Sequence, residues 1–223
     1  MTADSASSYT LRYFGVSGLG EASRLLLTAA NVEWTEEHPE WPAEKPNQPF
    51  GRLPVLVEKS ADGSPDFVIS ESGTIERYIA RRYGFLPADL KQAAVQEQLR
   101  DRLADVSIAF YAQAFASPDK KEEKQETFEK LLVKFVEVQT ATLKQNGNNG
   151  YLFGDGFSYA DAVSYGYFKN LLIGAVKFQA DIADYVKARL SPEIIKHLTT
   201  VEASPAVTAH TSKDSSVTEV VQA

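Results

Sequence analysis

Apolar positions form short runs in the first third of the chain and helical rows in the rest. Tyr9-Thr10-Leu11-Arg12-Tyr13-Phe14 carries the aromatic and branched residues of a short strand. Gly15, Gly18 and Gly20 around Ser17 make a loop. It is not a dinucleotide fingerprint, because Ser23 stands where the third glycine belongs. Ala22, Leu25, Leu26 and Ala29 recur at i, i+3, i+4 and i+7 and predict a helix ending near Asn31. Val32-Glu33-Trp34-Thr35-Glu36 alternates as a second strand. Pro39, Pro42, Pro46 and Pro49 leave residues 37–50 as loop with at most one helical turn. Leu53–Glu58 and Asp66–Ile69 read as a hairpin across the turn at 61–65. A helix opening near Ser72 sets Ile75, Tyr78, Ile79 and Tyr83 on one face and stops at Gly84. The small, polar residues 1–8 read as a frayed tail.

After Pro87 the pattern is helical throughout. Val95, Leu99, Leu103, Val106 and Phe110 predict one long helix. Ser117-Pro118-Asp119 breaks the run, and Phe128, Leu131, Leu132, Phe135 and Val138 predict a second with a solvated charged face. Asn146–Gly150 is a loop. Ser158 and Asp161 form a capping box with Asp in place of Glu, and Phe157 is placed to staple onto Ala162. Further helices are expected through Tyr165–Leu172, about Ile182–Leu190, and from Pro192, with a loose tail from Ser212. Phe85-Leu86-Pro87 is the expected linker, dividing the chain into an α/β half (1–84) and an all-helical half (85–223).

Composition narrows the chemistry. The 223 residues are 43% hydrophobic and 24% charged, ordinary for a globular chain. A formal net charge of −7 speaks against nucleic acid as partner, since that usually calls for a basic face. No apolar run approaches the roughly 20 residues of a membrane span. The polar Met1-Thr2-Ala3-Asp4-Ser5 lacks the regions of a signal peptide, so a cytoplasmic protein is expected. Cysteine is absent, so any thiol chemistry must use a thiol of the substrate. His38, His197 and His210 are scattered, and no metal site is expected from them.

The stretch Gln48-Pro49-Phe50-Gly51-Arg52-Leu53-Pro54-Val55-Leu56 runs from a turn into an apolar strand. Pro54 sits at the strand's first residue, where no ladder donor is lost, and is a candidate cis proline. Backbone groups just before it are then open to pair with an extended peptide.

These features together resemble the cytosolic glutathione transferases, most closely the sigma class, with the alpha, mu and pi classes near it. The matching residues are Leu11-Arg12-Tyr13-Phe14, Trp41-Pro42, Lys45, Pro49-Phe50-Gly51-Arg52-Leu53-Pro54, Glu71-Ser72 and the capping box Ser158–Asp161. The resemblance covers roughly residues 9–210. It implies a thioredoxin-like α/β domain of order β-α-β-α-β-β-α followed by an all-α domain that supplies a hydrophobic substrate site. It also implies glutathione as co-substrate, without a metal, and a homodimer that conjugates the thiolate to small hydrophobic electrophiles in detoxification. Peroxidase or isomerase activity, prostaglandin isomerisation included, would use the same thiolate.

By this resemblance Tyr13 is the hydroxyl that stabilises the thiolate. A free thiol titrates near 8.5 and is only a few per cent ionised at pH 7. Depressing that by two units corresponds to about 2.7 kcal/mol. Ser17 is the rival, since other classes use a serine after the first strand. Ser72, opening a helix, suits the γ-glutamyl carboxylate, and Glu71 the ammonium. Leu53, beside Pro54, would pair with the cysteinyl backbone as an added strand does. Trp41 and Lys45 would hold the glycyl end, and Arg52 is open to either a contact or plain solvation. The electrophile would lie among Val16, Ser17, Phe110, Tyr111, Phe115 and His210. Three departures stand out. Leu19 and Ser17 replace common arginines, and Ala109 aligns with a partner-subunit aspartate, with Asp105 and Asp101 one and two turns earlier. They keep open an alternative, a non-catalytic binding or crystallin-like structural protein on the same fold. An interaction module of a translation assembly is a weaker third reading.

Overall fold

The computed structural model describes residues 8–60, 63–174, 180–210 and 221. The expected tail before Ser8, the start of the hairpin turn and the tail from Ser212 fall outside the described residues. Strand β1 (Ser8–Arg12) leads through a 3-10 turn, Gly18–Gly20, into α1 (Glu21–Ala29) and then β2 (Trp34–Glu37). The proline-rich stretch holds one 3-10 turn, Lys45–Asn47, where the family order has its second helix. Strands β3 (Val55–Lys59) and β4 (Phe67–Ser70) follow, then α2 (Ser72–Arg82), whose end passes into Gly84 at φ +78°.

The four strands lie in the order β2-β1-β3-β4. β1 runs parallel to β2 and antiparallel to β3, and β4 is antiparallel to β3. Leu11 pairs with Leu56 across β1 and β3, and both are fully buried in one cluster with Leu25 and Leu26 of α1 and Ile75 and Ile79 of α2. A further row decides where chemistry can gather. Arg12, Val55 and Ser70 are register partners, so Tyr13, Pro54 and Glu71 emerge side by side at one end of the sheet. The Leu53–Pro54 and Trp41–Pro42 peptide bonds are both cis.

The helical half comprises α3 (Leu90–Ala114), α4 (Lys121–Gln145), α5 (Tyr159–Lys169), α6 (Ala180–Lys187), α7 (Pro192–Glu202) and a short α8 (Pro205–Thr208). The pattern did not reveal α8, and it carried α5 helically to Leu172, where a π-type turn, Asn170–Gly174, takes over. Helix α5 packs against α1, α3 and α7 and is buried along nearly its whole surface, with its polar residues Asp161, Ser164 and Lys169 each paired inside. Leu99, Leu103, Val106 and Phe110 of α3 and Phe128, Leu132 and Phe135 of α4 face inward as the spacing predicts. Val95 and Val138 do not. In each case the adjacent glutamine, Gln96 or Gln139, takes the buried place. Gln96 Oε1 accepts from the Ala160 amide at 3.4 Å, and Gln139 donates to Ser164. Phe157 packs edge-on to Phe85 of the linker, with ring centres 6.0 Å apart.

Candidate functional site

Tyr13 follows β1 with its amide donating to Glu37 O at 3.0 Å and its carbonyl accepting from His38 Nδ1 at 2.9 Å. The side chain turns inward and is 5% exposed. Its hydroxyl accepts a hydrogen bond from the Leu19 amide at 2.9 Å. An oxygen held in that way keeps its own proton free to donate. Burial pushes the phenol up to about 12, against the opposing pull of the Leu19 amide and Arg24. Two glycines make the fit: a Cβ at Gly18 would stand 2.5 Å from the Tyr13 hydroxyl, and one at Gly20 would stand 2.6 Å from its ring.

Arg24 of α1, which the sequence pattern did not single out, shapes the loop around Tyr13. The guanidinium donates to the carbonyls of Phe14 (3.1 Å), Val16 (3.0 Å) and Ser17 (3.1 Å) and lies 5.6 Å from the Tyr13 ring centre. Glu36 and Glu21 balance its charge. Glu21 is itself buried and also meets Lys169 Nζ of α5 at 2.7 Å and His210 Nε2 at 3.5 Å. Burial alone would raise the Glu21 carboxyl; His210 and Lys169 outweigh it and hold the group down at about 2. The available signal was a charged pair at i, i+3 on the apolar face of α1, and a lysine inside the apolar run of α5.

Beside Tyr13 a cavity of about 310 Å³ opens between the two halves of the chain. Its wall combines Gly18 and Leu19, the start of α2 at Glu71, Ser72 and Glu76, and the facing sides of α3 and α5. Glu71 has φ +69°, a costly backbone state for a non-glycine residue, of the kind that clusters at functional sites. Ser72 Oγ accepts from Arg100 Nη2 of α3 at 2.8 Å. At the neighbouring edge, the N–H and C=O of Leu53 carry no hydrogen bond among the described residues. Trp41 lies edge-on to Phe14 at 5.6 Å, and the Lys45 side chain passes over Gly51 beside the exposed Arg52. Buried Pro54 closes the row between Tyr13 and Glu71.

The structure thus brings Tyr13, Leu53, Pro54, Glu71 and Ser72 to one end of the sheet. Of the residues expected around an electrophile, only Tyr111 lines this cavity. Phe110 turns into the core against Phe128, with ring centres 5.9 Å apart. Consecutive helix positions point about 100° apart, so Phe110 and Tyr111 cannot share a face. Phe115 is 74% exposed beyond the end of α3, and Val16 is also exposed. Ser17 is half-buried with its carbonyl on Arg24, and His210 sits against Glu21 and the Trp34 ring. Asp101 pairs with Arg77 and Asp105 with Arg102 within the chain. Among the described residues no group of three metal-ligating side chains converges. No helix among them is long and apolar enough to cross a membrane.

Comparison with known proteins matches residues 9–81 to the glutathione S-transferase N-terminal domain and residues 104–214 to the C-terminal domain. Glutathione S-transferase P 2 of Bufo bufo is 33% identical over 162 residues, which is 70% of this chain and 73% of that protein. Hematopoietic prostaglandin D synthase of Gallus gallus is 28% identical over 211 residues, 92% of this chain and 96% of its own. Among solved structures, a nematode-specific transferase of Caenorhabditis elegans superposes with TM-score 0.72 at 27% identity, covering 94% of this chain and 99% of that one. A Nu-class transferase of Haemonchus contortus gives 0.70 at 26% identity, covering 94% and 98%.

Proposed function

The chain belongs to the glutathione S-transferase family, and from that premise we propose that Tyr13 activates glutathione for conjugation to hydrophobic electrophiles. The enzyme is a glutathione-dependent transferase; the roles of individual residues are our reading. The observation that carries it is the Tyr13 hydroxyl, held by the Leu19 amide with its own proton unused. Because the phenol is pushed up to about 12, it stays protonated near neutral pH. Tyr13 therefore acts as a hydrogen-bond donor to sulfur and not as a base. The thiol proton leaves to solvent, and the thiolate keeps the electron pair. That pair forms the new bond to the electrophile. The leaving group departs with its own pair, or, in an addition, the acceptor atom takes a proton from water.

Leu19 replaces an arginine common in the family, but the contact to Tyr13 comes from its main chain, so the side-chain change leaves that contact intact. Ser72 and the amino end of α2 would receive the γ-glutamyl carboxylate, and Glu71 the ammonium. The unpaired main chain of Leu53 would bind the cysteinyl residue, with Pro54 fixing the edge. Trp41, Lys45 and Arg52 would face the glycyl carboxylate. The electrophile would use the apolar wall of the cavity, Leu19, Ala104, Ile108 and Tyr111. A cytoplasmic homodimer acting in detoxification completes the proposal.

The test is an absorbance titration of bound glutathione in wild type and Tyr13→Phe. The wild type should depress the thiol pKa by about two units, and the variant should return it toward the free value, with a roughly 20- to 30-fold loss of turnover at pH 7 as the ionised fraction falls to a few per cent. Glutathione that binds with its pKa still lowered in the variant would transfer the role to Ser17.

A further inference from the structure

The amino end of α2 holds more than a helix start. Arg100 reaches it from α3, and three neighbours are shaped around the guanidinium. Ser72 Oγ accepts from Nη2 at 2.8 Å. Glu76, one turn into α2, receives Nε at 2.8 Å and accompanies the charge into the interior. Gly73 leaves the room: a Cβ there would stand 2.7 Å from the Arg100 Cζ. Burial works against the cation, but Glu76 outweighs it and holds Arg100 above its ordinary range, so the side chain is charged.

The guanidinium is not used up by these contacts. Nη1 carries no hydrogen bond among the described residues, and Arg100 is part of the cavity wall between Ser72 and Leu103. Ser72 Oγ accepts from Arg100 and donates to nothing among the described residues, so its proton is also available. An unused N–H pair, an unused O–H and the first amides of α2 therefore converge on one side of the cavity. A carboxylate is the ligand that such a set of donors recognises, since guanidinium and carboxylate match in shape and charge.

We propose that Arg100 is a glutathione-binding residue, contacting the γ-glutamyl α-carboxylate together with Ser72. The inference rests on the transferase reading above. Arg100 takes the charge-neutralising part that Leu19 cannot supply from the loop after Tyr13, and it does so from the opposite helix.

The experiment is a cycle of protein and ligand changes. Wild type and Arg100→Met are each assayed with glutathione and with the tripeptide analogue that lacks the γ-glutamyl α-carboxylate. Arg100→Met should raise KM for glutathione roughly 10- to 100-fold with little change in kcat, the range expected for a charge-assisted hydrogen bond. The analogue should bind wild type more weakly by a similar factor, yet bind wild type and variant alike. Equal and additive losses in all four combinations would overturn the assignment, because a merely structural Arg100 would not discriminate the two ligands. Arg100→Met leaves Glu76 buried without its partner, so the double variant Arg100→Met/Glu76→Met is run beside it and should show the same discrimination. Wild type that conjugates no glutathione would overturn the transferase reading itself, whereas conjugation with an additive cycle overturns only the role of Arg100.

Discussion

Glu21 shows how far one side chain can reach in this molecule. It joins α1 to α5 through Lys169, to the end of α8 through His210, and to the Tyr13 loop through Arg24. Its folded pKa of about 2 lies below the ordinary 4.5. A carboxyl depressed on folding stabilises the fold in full above the unfolded value and loses that contribution as pH falls toward the folded one. The expected contribution is about 3 kcal/mol at neutral pH, fading between pH 4.5 and 2. Urea unfolding of wild type and Glu21→Gln should therefore differ by about that amount at pH 7 and converge near pH 2. A gap that stays constant with pH would mean that the variant is weakened by packing alone. Nothing local in the sequence reveals such a residue. The bond from Glu21 to Lys169 spans 148 positions, and that from Arg100 to Ser72 spans 28. Tyr13, Glu71 and Ser72 were legible because a short motif carries each of them, whereas Arg24 and Arg100 acquire their places only when helices pack.

Elements set by neighbours in sequence were the readable part. The Ser158–Asp161 box forms as its spacing predicts, because every group it needs lies within one turn. Asp161 accepts from the Ser158 amide at 2.9 Å and the Ser158 hydroxyl at 2.6 Å, and it also receives the Leu152 amide at 2.9 Å. The Leu152 contact makes it a tie between loop and helix as well as a cap. The carboxylate is fully buried, so Asp161→Ala strands three donors at the entry to the most buried helix of the fold. The expected cost is about 3 kcal/mol or more, above the roughly 1 kcal/mol of an exposed cap. Ser158→Ala, which keeps both amide contacts, should cost about 1 kcal/mol. Thermal unfolding of the two variants checks the order; equal losses would reduce Asp161 to a simple cap. Where the pattern misplaced a residue, the cause was a choice between adjacent positions. In α3 and α4 it took Val95 and Val138 as inward, but the buried row continues through Gln96 and Gln139, which find polar partners on α5. Hydrophobicity cannot anticipate a buried glutamine whose partner lies on another helix.

Those two valines matter for the whole molecule. Displaced outward, Val95 and Val138 are 44% and 47% exposed and line one cleft of about 510 Å³ with Leu99, Phe135 and Phe153. Asp101, Arg102 and Asp105 lie along the same cleft. Phe50, on the loop before β3, is 69% exposed, and Phe67 and Val68 open the edge strand β4. Apolar surface left in water on this scale is reason to expect a partner, and a second copy related by a two-fold axis would cover each patch twice. The proposed homodimer should then sediment as such at micromolar concentration. In Val95→Glu/Val138→Glu a two-fold interface would gather four buried carboxylates, and the expected result is a folded monomer with unchanged helical content. Wild type that sediments as a monomer would end the homodimer proposal. The monomeric variant also addresses the departure at Ala109. If one chain supplies the whole glutathione site, through Ser72 and Arg100, the variant should keep the glutathione KM of wild type. If an aspartate of α3 reaches across the two-fold axis, KM should rise severalfold, and Asp105→Asn in the dimer should reproduce that rise.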